Sequence, residues 1–296
     1  MFAALGISAI ALGAANMSQM TNKEQGAQPA GPRTKKARIA LLVADTPIPA
    51  VLKQQGDYEA IFTRLFEASK PGDVPAFRLD AFDVKKGEYP PESILDEYLG
   101  VVITGSASSA YEDVEWINKL VVFVKRLALT THVIKIIGIC FGHQIVARAF
   151  GGDNAVVPNG GKWEVGIEPI KLTTLGKRIF GKDEDINIQE MHRDHVPSLP
   201  PAFHLLASTD VSKNQGMVRF AFKAPEPGPN EALPPIHIFT VQGHPEFNKE
   251  IVQELVEARS KSGVLDTKIA DQARKRAEWR NDGVHIGRVI WAILRQ

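Results

Sequence analysis

Cysteine is nearly absent: Cys140 is the only one in 296 residues, which excludes intrachain disulfides and thiolate zinc clusters. A lone thiol fits a reducing compartment, where it is either an inert core residue or a working group. Net charge is equally scarce, since 35 Lys and Arg against 34 Asp and Glu leave +1. Nothing therefore drives non-specific attraction to nucleic acid or anionic lipid, and neither is expected as a partner. Long apolar runs are missing too. The apolar stretch over residues 2–16 falls short of the roughly 20 residues a membrane span needs. It has neither the leading positive charge of a signal peptide nor the arginines of a mitochondrial presequence, and no charge appears before Lys23. Residues 1–36 read as a disordered leader, and the chain as cytoplasmic. No Asn-x-Ser/Thr sequon follows Asn16, and no glycine-rich phosphate loop occurs, so no ATP-using domain is expected.

What is present is ordinary globular composition, 44% apolar and 23% charged. Residues 37–44 form a short, branched apolar run, the mark of a buried strand. Residues 58–69 place Ile61, Leu65 and Phe66 on one helical face. Strands over 77–84, 101–105 and 133–140 alternate with helices over 91–99, 116–129 and 142–150. This rhythm predicts an α/β, doubly wound, mostly parallel sheet flanked by helices, with ligands at the carboxyl ends of its strands. The second half is richer in strands, at 166–172, 186–191, 204–208, 217–222 and 236–241, with a proline-rich connection over 224–235. A helix near 248–260 precedes a basic, Trp-containing tail. The expected layout is a leader over 1–36, a domain over 37–262 and a C-terminal helical extension over 263–296.

Gly138-Ile139-Cys140-Phe141-Gly142-His143-Gln144 carries the most information. A strand ends at a residue that turns at once into a helix, with glycine two before and two after. This is a nucleophile elbow with cysteine as the nucleophile: the turn exposes the side chain, and the glycines avoid clashes that a Cβ would cause. The thiol then sits at a helix N-terminus, where the dipole favours thiolate. A buried structural cysteine is the bland alternative, and glycines on both sides of a strand-to-helix break argue against it. Gln242-Gly243-His244-Pro245-Glu246 follows the strand at 236–241, so an imidazole and a carboxylate able to orient it can meet the thiol in space.

These motifs resemble the class I glutamine amidotransferase family, in motif order and strand–helix rhythm over residues 37–258. The resemblance implies a flavodoxin-like domain in which Cys140, His244 and Glu246 are catalytic. It also implies an oxyanion hole from the Gly105 and Phe141 N–H groups, and Gln144 and Ser106 as substrate-binding residues. Many members carry proline in the loop after the third strand, where here Ala107 and Ser108 follow Ser106. No cofactor and no metal are expected. The implied activity is stand-alone hydrolysis of γ-glutamyl amide bonds, as in γ-glutamyl peptidase-like members, with a small γ-glutamyl molecule as substrate. Two other readings stay open: a glutaminase subunit, like GMP-synthase glutaminase-type domains, feeding ammonia to a separate synthase partner, and a catalytically silent binding module. Three further clusters stand out. Met191-His192-Arg193-Asp194-His195 could rim the site, the loop Gly160-Gly161-Lys162-Trp163 could shape a pocket, and Arg274-Lys275-Arg276 reads as a solvated helix face.

Overall fold

The computed structural model describes residues 37–74 and 76–296, so the expected leader lies outside the described residues. The first strand, β1 (Ala37–Val43), is buried on both faces. Ile39 and Leu41 join one core layer with Phe62 and Phe66, while Ala40 and Leu42 join the other with Leu120 and Ile145. That two-residue alternation is what a strand sandwiched between helices requires. After a short helix α1 (Pro49–Gln55), α2 (Tyr58–Ser69) starts where the Asp57 side chain accepts from Ala60 N–H at 2.9 Å. It buries Ile61, Phe62, Leu65 and Phe66 along one stripe.

The chain continues through β2 (Phe77–Asp83), a 3-10 turn over Glu92–Glu97, β3 (Gly100–Ile103), α3 (Glu115–Thr130), β4 (Lys135–Ile139) and α4 (Phe141–Gly151). A small bridge strand, β5 (Val157–Pro158), leads into β6 (Glu164–Leu172), α5 (Thr174–Phe180), β7 (Ile186–His192) and β8 (Asp194–His195). Then come β9 (His204–Ser208), β10 (Gly216–Phe220), β11 (Ile236–Val241), α6 (Lys249–Lys261), α7 (Thr267–Lys275) and α8 (Gly283–Leu294). Nine strands form one sheet in the order β2-β1-β3-β4-β11-β10-β9-β6-β7. The stretch from β2 to β11 is parallel, and from β11 onward every pairing is antiparallel. The α/β reading thus holds with a mixed sheet: its parallel part is the doubly wound half, and the strand-rich second half extends it antiparallel.

Residues 263–296 supply α7 and α8. Trp291 of α8 is completely buried, donates its indole N–H to Phe66 O at 3.1 Å and meets Phe66 and Phe77 edge-on. Truncating such a side chain in a core costs about 3–5 kcal/mol, so α8 belongs to the same core as α2. No helix among the described residues is long and apolar enough to cross a membrane.

Candidate active site

Parallel register decides what meets at the rim. Ile103 of β3 pairs with Gly138 of β4, and Val241 of β11 pairs with Ile139. Continuing one or two residues past each strand brings Gly105, Cys140 and Gln242 level with one another. Sequence distance between the cysteine and the histidine motif therefore vanishes, because β11 is the strand inserted next to β4.

Cys140 adopts φ 51° and ψ −102°, a left-handed conformation unusual for a residue with a side chain. Such strain persists where the surroundings over-determine it. Here Cys140 N–H donates to Val241 O at 2.9 Å, and Cys140 O accepts the first helical bond of α4 from Gln144 N–H at 3.1 Å. The two flanking glycines are sterically required: a Cβ on Gly138 would stand 2.6 Å from Gly142 O, and one on Gly142 would stand 2.5 Å from Ile103 O. Strand-to-helix reversal in so little space leaves the Phe141 N–H at the start of α4, where no intrahelical acceptor exists.

His244 is held on several sides. Its Nδ1 lies 2.8 Å from Glu246 Oε1, its ring stacks on Phe247 at 4.0 Å, and its backbone N–H donates to Gln189 O at 2.7 Å. Gly105 fits against both partners, since a Cβ there would stand 2.7 Å from His244 Cε1 and 3.7 Å from Cys140 Cβ. With Nδ1 engaged by Glu246, Nε2 is the nitrogen left for the thiol. Burial works against charge on His244, yet Cys140 and Glu246 outweigh it and raise the imidazole to about 10. At neutral pH the ring is thus a proton carrier.

The loop after β3 has its anchor in Asp45, just past β1. Asp45 Oδ2 accepts from Ala107 N–H at 2.7 Å and from the Ser106 hydroxyl at 3.4 Å, and Ser108 N–H donates to Ser106 Oγ at 3.2 Å. Asp45 thus ties the loop after β3 to the end of β1. Asp45, Ser106, Ala107, Cys140 and His244 line one cavity of about 70 Å³, together with Tyr58, Met191 and Arg259. Burial and the charges of Glu246 and Asp45 push the Tyr58 phenol well above its ordinary range, so it faces the cavity as a neutral hydroxyl.

The structure brings Cys140, His244, Glu246, Gly105 and Phe141 together, with Ser106 in the cavity wall. Gln144 is placed differently from a group waiting for substrate. Its buried amide donates to Asp194 O and to Gln242 Oε1, each at 3.1 Å, and Gln242 Nε2 in turn donates to Cys140 Sγ at 3.5 Å. From Met191 to His195 only Met191 reaches the cavity wall. His192 turns inward, with Nε2 3.2 Å from Glu164 and 3.3 Å from Glu190. Among the described residues, no group of three or more His, Cys, Asp and Glu could hold a metal ion. Asp45, Tyr58, Gln242 and Arg259 are the residues that sequence reasoning passed over. Only Gln242, two before His244, lies within a motif, and no role is assigned to it there.

The family profile described as "Glutamine amidotransferase class-I" matches residues 81–259. A glutamine amidotransferase-like protein of Schizosaccharomyces pombe is 35% identical over 244 residues, 81% of this chain and 91% of that one. Gamma-glutamyl peptidase 3 of Arabidopsis thaliana is 31% identical over 265 residues, 88% of this chain and 95% of that one. The crystal structure of a glutamine amidotransferase from Thermotoga maritima superposes with a TM-score of 0.63 at 17% identity, covering 88% of this chain and 99% of that chain, which speaks to the fold. The chain belongs to the class I glutamine amidotransferase family.

Proposed function

We propose that this enzyme hydrolyses γ-glutamyl amide bonds through a γ-glutamyl thioester on Cys140. The observation that carries the reading is Cys140 on its strained elbow beside the His244–Glu246 pair, inside one cavity. The likeness to a protein named gamma-glutamyl peptidase 3 supports the substrate class. In the first half-reaction the Cys140 sulfur attacks the γ-carbonyl carbon and its proton resides on His244. The carbonyl oxygen becomes an oxyanion between the Gly105 and Phe141 N–H groups. Collapse breaks the C–N bond, and His244 delivers its proton to the departing amine. Water then enters, His244 takes its proton, and attack on the thioester releases glutamate and returns the thiol. Glu246 holds the ring orientation and supports its charge throughout.

The discriminating measurement is kcat/KM for glutamine, glutathione and other γ-glutamyl peptides, using purified protein without nucleotide. A preference for a peptide is the expected result. Turnover of glutamine alone, appearing only on addition of a synthase, would replace this reading with ammonia donation.

Asp45 makes a separate prediction. If its carboxylate sets the loop that presents the Gly105 N–H, Asp45→Ala lowers kcat by about 10²-fold, comparable to loss of one oxyanion donor. Asp45→Asn keeps an acceptor oxygen for Ala107 N–H and recovers most of that loss. Equal rates for wild type and Asp45→Ala would show that the loop holds its shape unaided.

A further inference from the structure

Arg259 sits in the last turn of α6 and lines the same cavity as Cys140 and His244. Its guanidinium lies 5.2 Å from the centre of the Trp163 ring, and that of Arg193 lies 5.7 Å from the same ring. The loop bearing Trp163 is tied in place: Asn159 N–H donates to Arg193 O, Lys162 N–H donates to Asn159 O, both at 3.0 Å, and the Asn159 side chain donates to Val211 O at 3.1 Å. Two cations thus share one aromatic ring, and among the described residues neither guanidinium meets a carboxylate. Asp45 faces the same cavity, but its oxygens are taken by Thr46 N–H, Ala107 N–H, Ser106 and the Lys85 ammonium. Burial and the like charge of Arg193 both oppose the charge on Arg259, which Cys140 and Asp45 only partly offset. A half-buried guanidinium held beside a second one, and open to a reaction cavity, is an unpaired site for an anion, and its planar fork matches a carboxylate.

We infer that Arg259 is the carboxylate-binding residue of the Cys140 cavity, so that substrates are selected by a free carboxylate as well as by the scissile amide. The inference rests on the γ-glutamyl reading above and deepens it. That carboxylate is either the α-carboxylate of the glutamyl group or the C-terminal carboxylate of a peptide leaving group.

The test uses three substrates: γ-glutamyl-alanine, its C-terminal amide, and 4-aminobutanoyl-alanine, which lacks the α-carboxylate. Wild type is expected to lose about 10–100-fold in kcat/KM on one of the two deletions, the range of one charge-assisted hydrogen bond. The deletion that hurts identifies the source. Arg259→Gln should lose that discrimination and keep the other ratio, while Arg259→Lys, which retains charge, keeps part of it. Ratios in Arg259→Gln equal to those of wild type would overturn the inference, as would a uniform loss on all three substrates. Should no γ-glutamyl compound be turned over, the functional reading falls separately. Calorimetric titration of the three compounds into Cys140→Ala, with and without Arg259→Gln, then decides. Tighter binding of the diacid that Arg259→Gln removes upholds a carboxylate site, and equal or absent binding sinks it.

Discussion

Cys140→Ala is expected to lose γ-glutamyl hydrolysis by about 10⁵–10⁶-fold, the scale seen when a covalent nucleophile is removed from a triad, while the protein stays folded. The physical reason is that the reaction has no second nucleophile to fall back on. Cys140 is the sole thiol in the chain, and the elbow aims it at the cavity. Folding should tolerate the change because alanine keeps the Cβ and the backbone bonds to Val241 O and from Gln144 N–H that shape the turn. What is lost is one sulfur atom, with its contacts to the Gln242 amide at 3.5 Å and to the His244 ring. Turnover, melting temperature and labelling by a thiol reagent check this together. A variant that labels no longer, melts normally and still turns over a substantial share of substrate would remove Cys140 from the chemistry.

The parts of the site legible in the sequence are those whose geometry is local. Glycine at positions 138 and 142 announces a turn too tight for a Cβ, and the close approaches to Gly142 O and Ile103 O are the structural form of that statement. His244 and Glu246 are two residues apart and make their own hydrogen bond. Asp45, Tyr58 and Arg259 come from three separate elements, and each looks ordinary in its local context. Tyr58 reads as the first residue of a helix, and Arg259 as one more basic residue near a helix end. Only the register of β1 against β3, with Leu42 opposite Ile103, brings Asp45 to the loop it holds. Gln144 shows the reverse limit: motif position identifies the residue, but its buried hydrogen bonds to Asp194 and Gln242 depend on strands far along the chain.

The fold divides in the same way. Helix α2 and strands β9 and β11 have the bounds that the sequence predicts, α2 through its apolar stripe and the two strands as short runs set off by polar or turn residues. Helices α1 and α5, seven residues each, were too short to carry a period. Strand direction in the second half was not legible either. Nothing local tells β10 to run against β11: the connection over 221–235 is long enough for a crossover, so its length does not fix the direction. The tail reads as basic, yet α8 hides an apolar face on α2 that no local signal connects to it.

His244→Ala should approach the loss of Cys140→Ala, because members of such a unit act together and their effects do not add. Without the imidazole the sulfur's proton has no acceptor and the leaving amine no donor. Glu246→Gln should cost less, about 10–100-fold, since an amide oxygen can still accept from Nδ1–H and hold the ring. Its signature lies in pH dependence. In the wild type, His244 is raised from 6.5 to about 10, the opposition of burial being outweighed by Cys140 and Glu246. Because the folded value lies above the unfolded one, the stabilisation from this pairing is fully present below about pH 6.5 and is lost as pH rises through about 10. The protonated ring is also the form that donates to the leaving amine, so the alkaline limb of kcat/KM should fall near pH 10 in the wild type. Removing the carboxylate charge takes away one of the two supports, and that limb should move to lower pH in Glu246→Gln. A pH profile of kcat/KM on one γ-glutamyl peptide, measured for both proteins, reads the shift directly. Superimposable alkaline limbs would mean that Glu246 orients the ring without stabilising its charge.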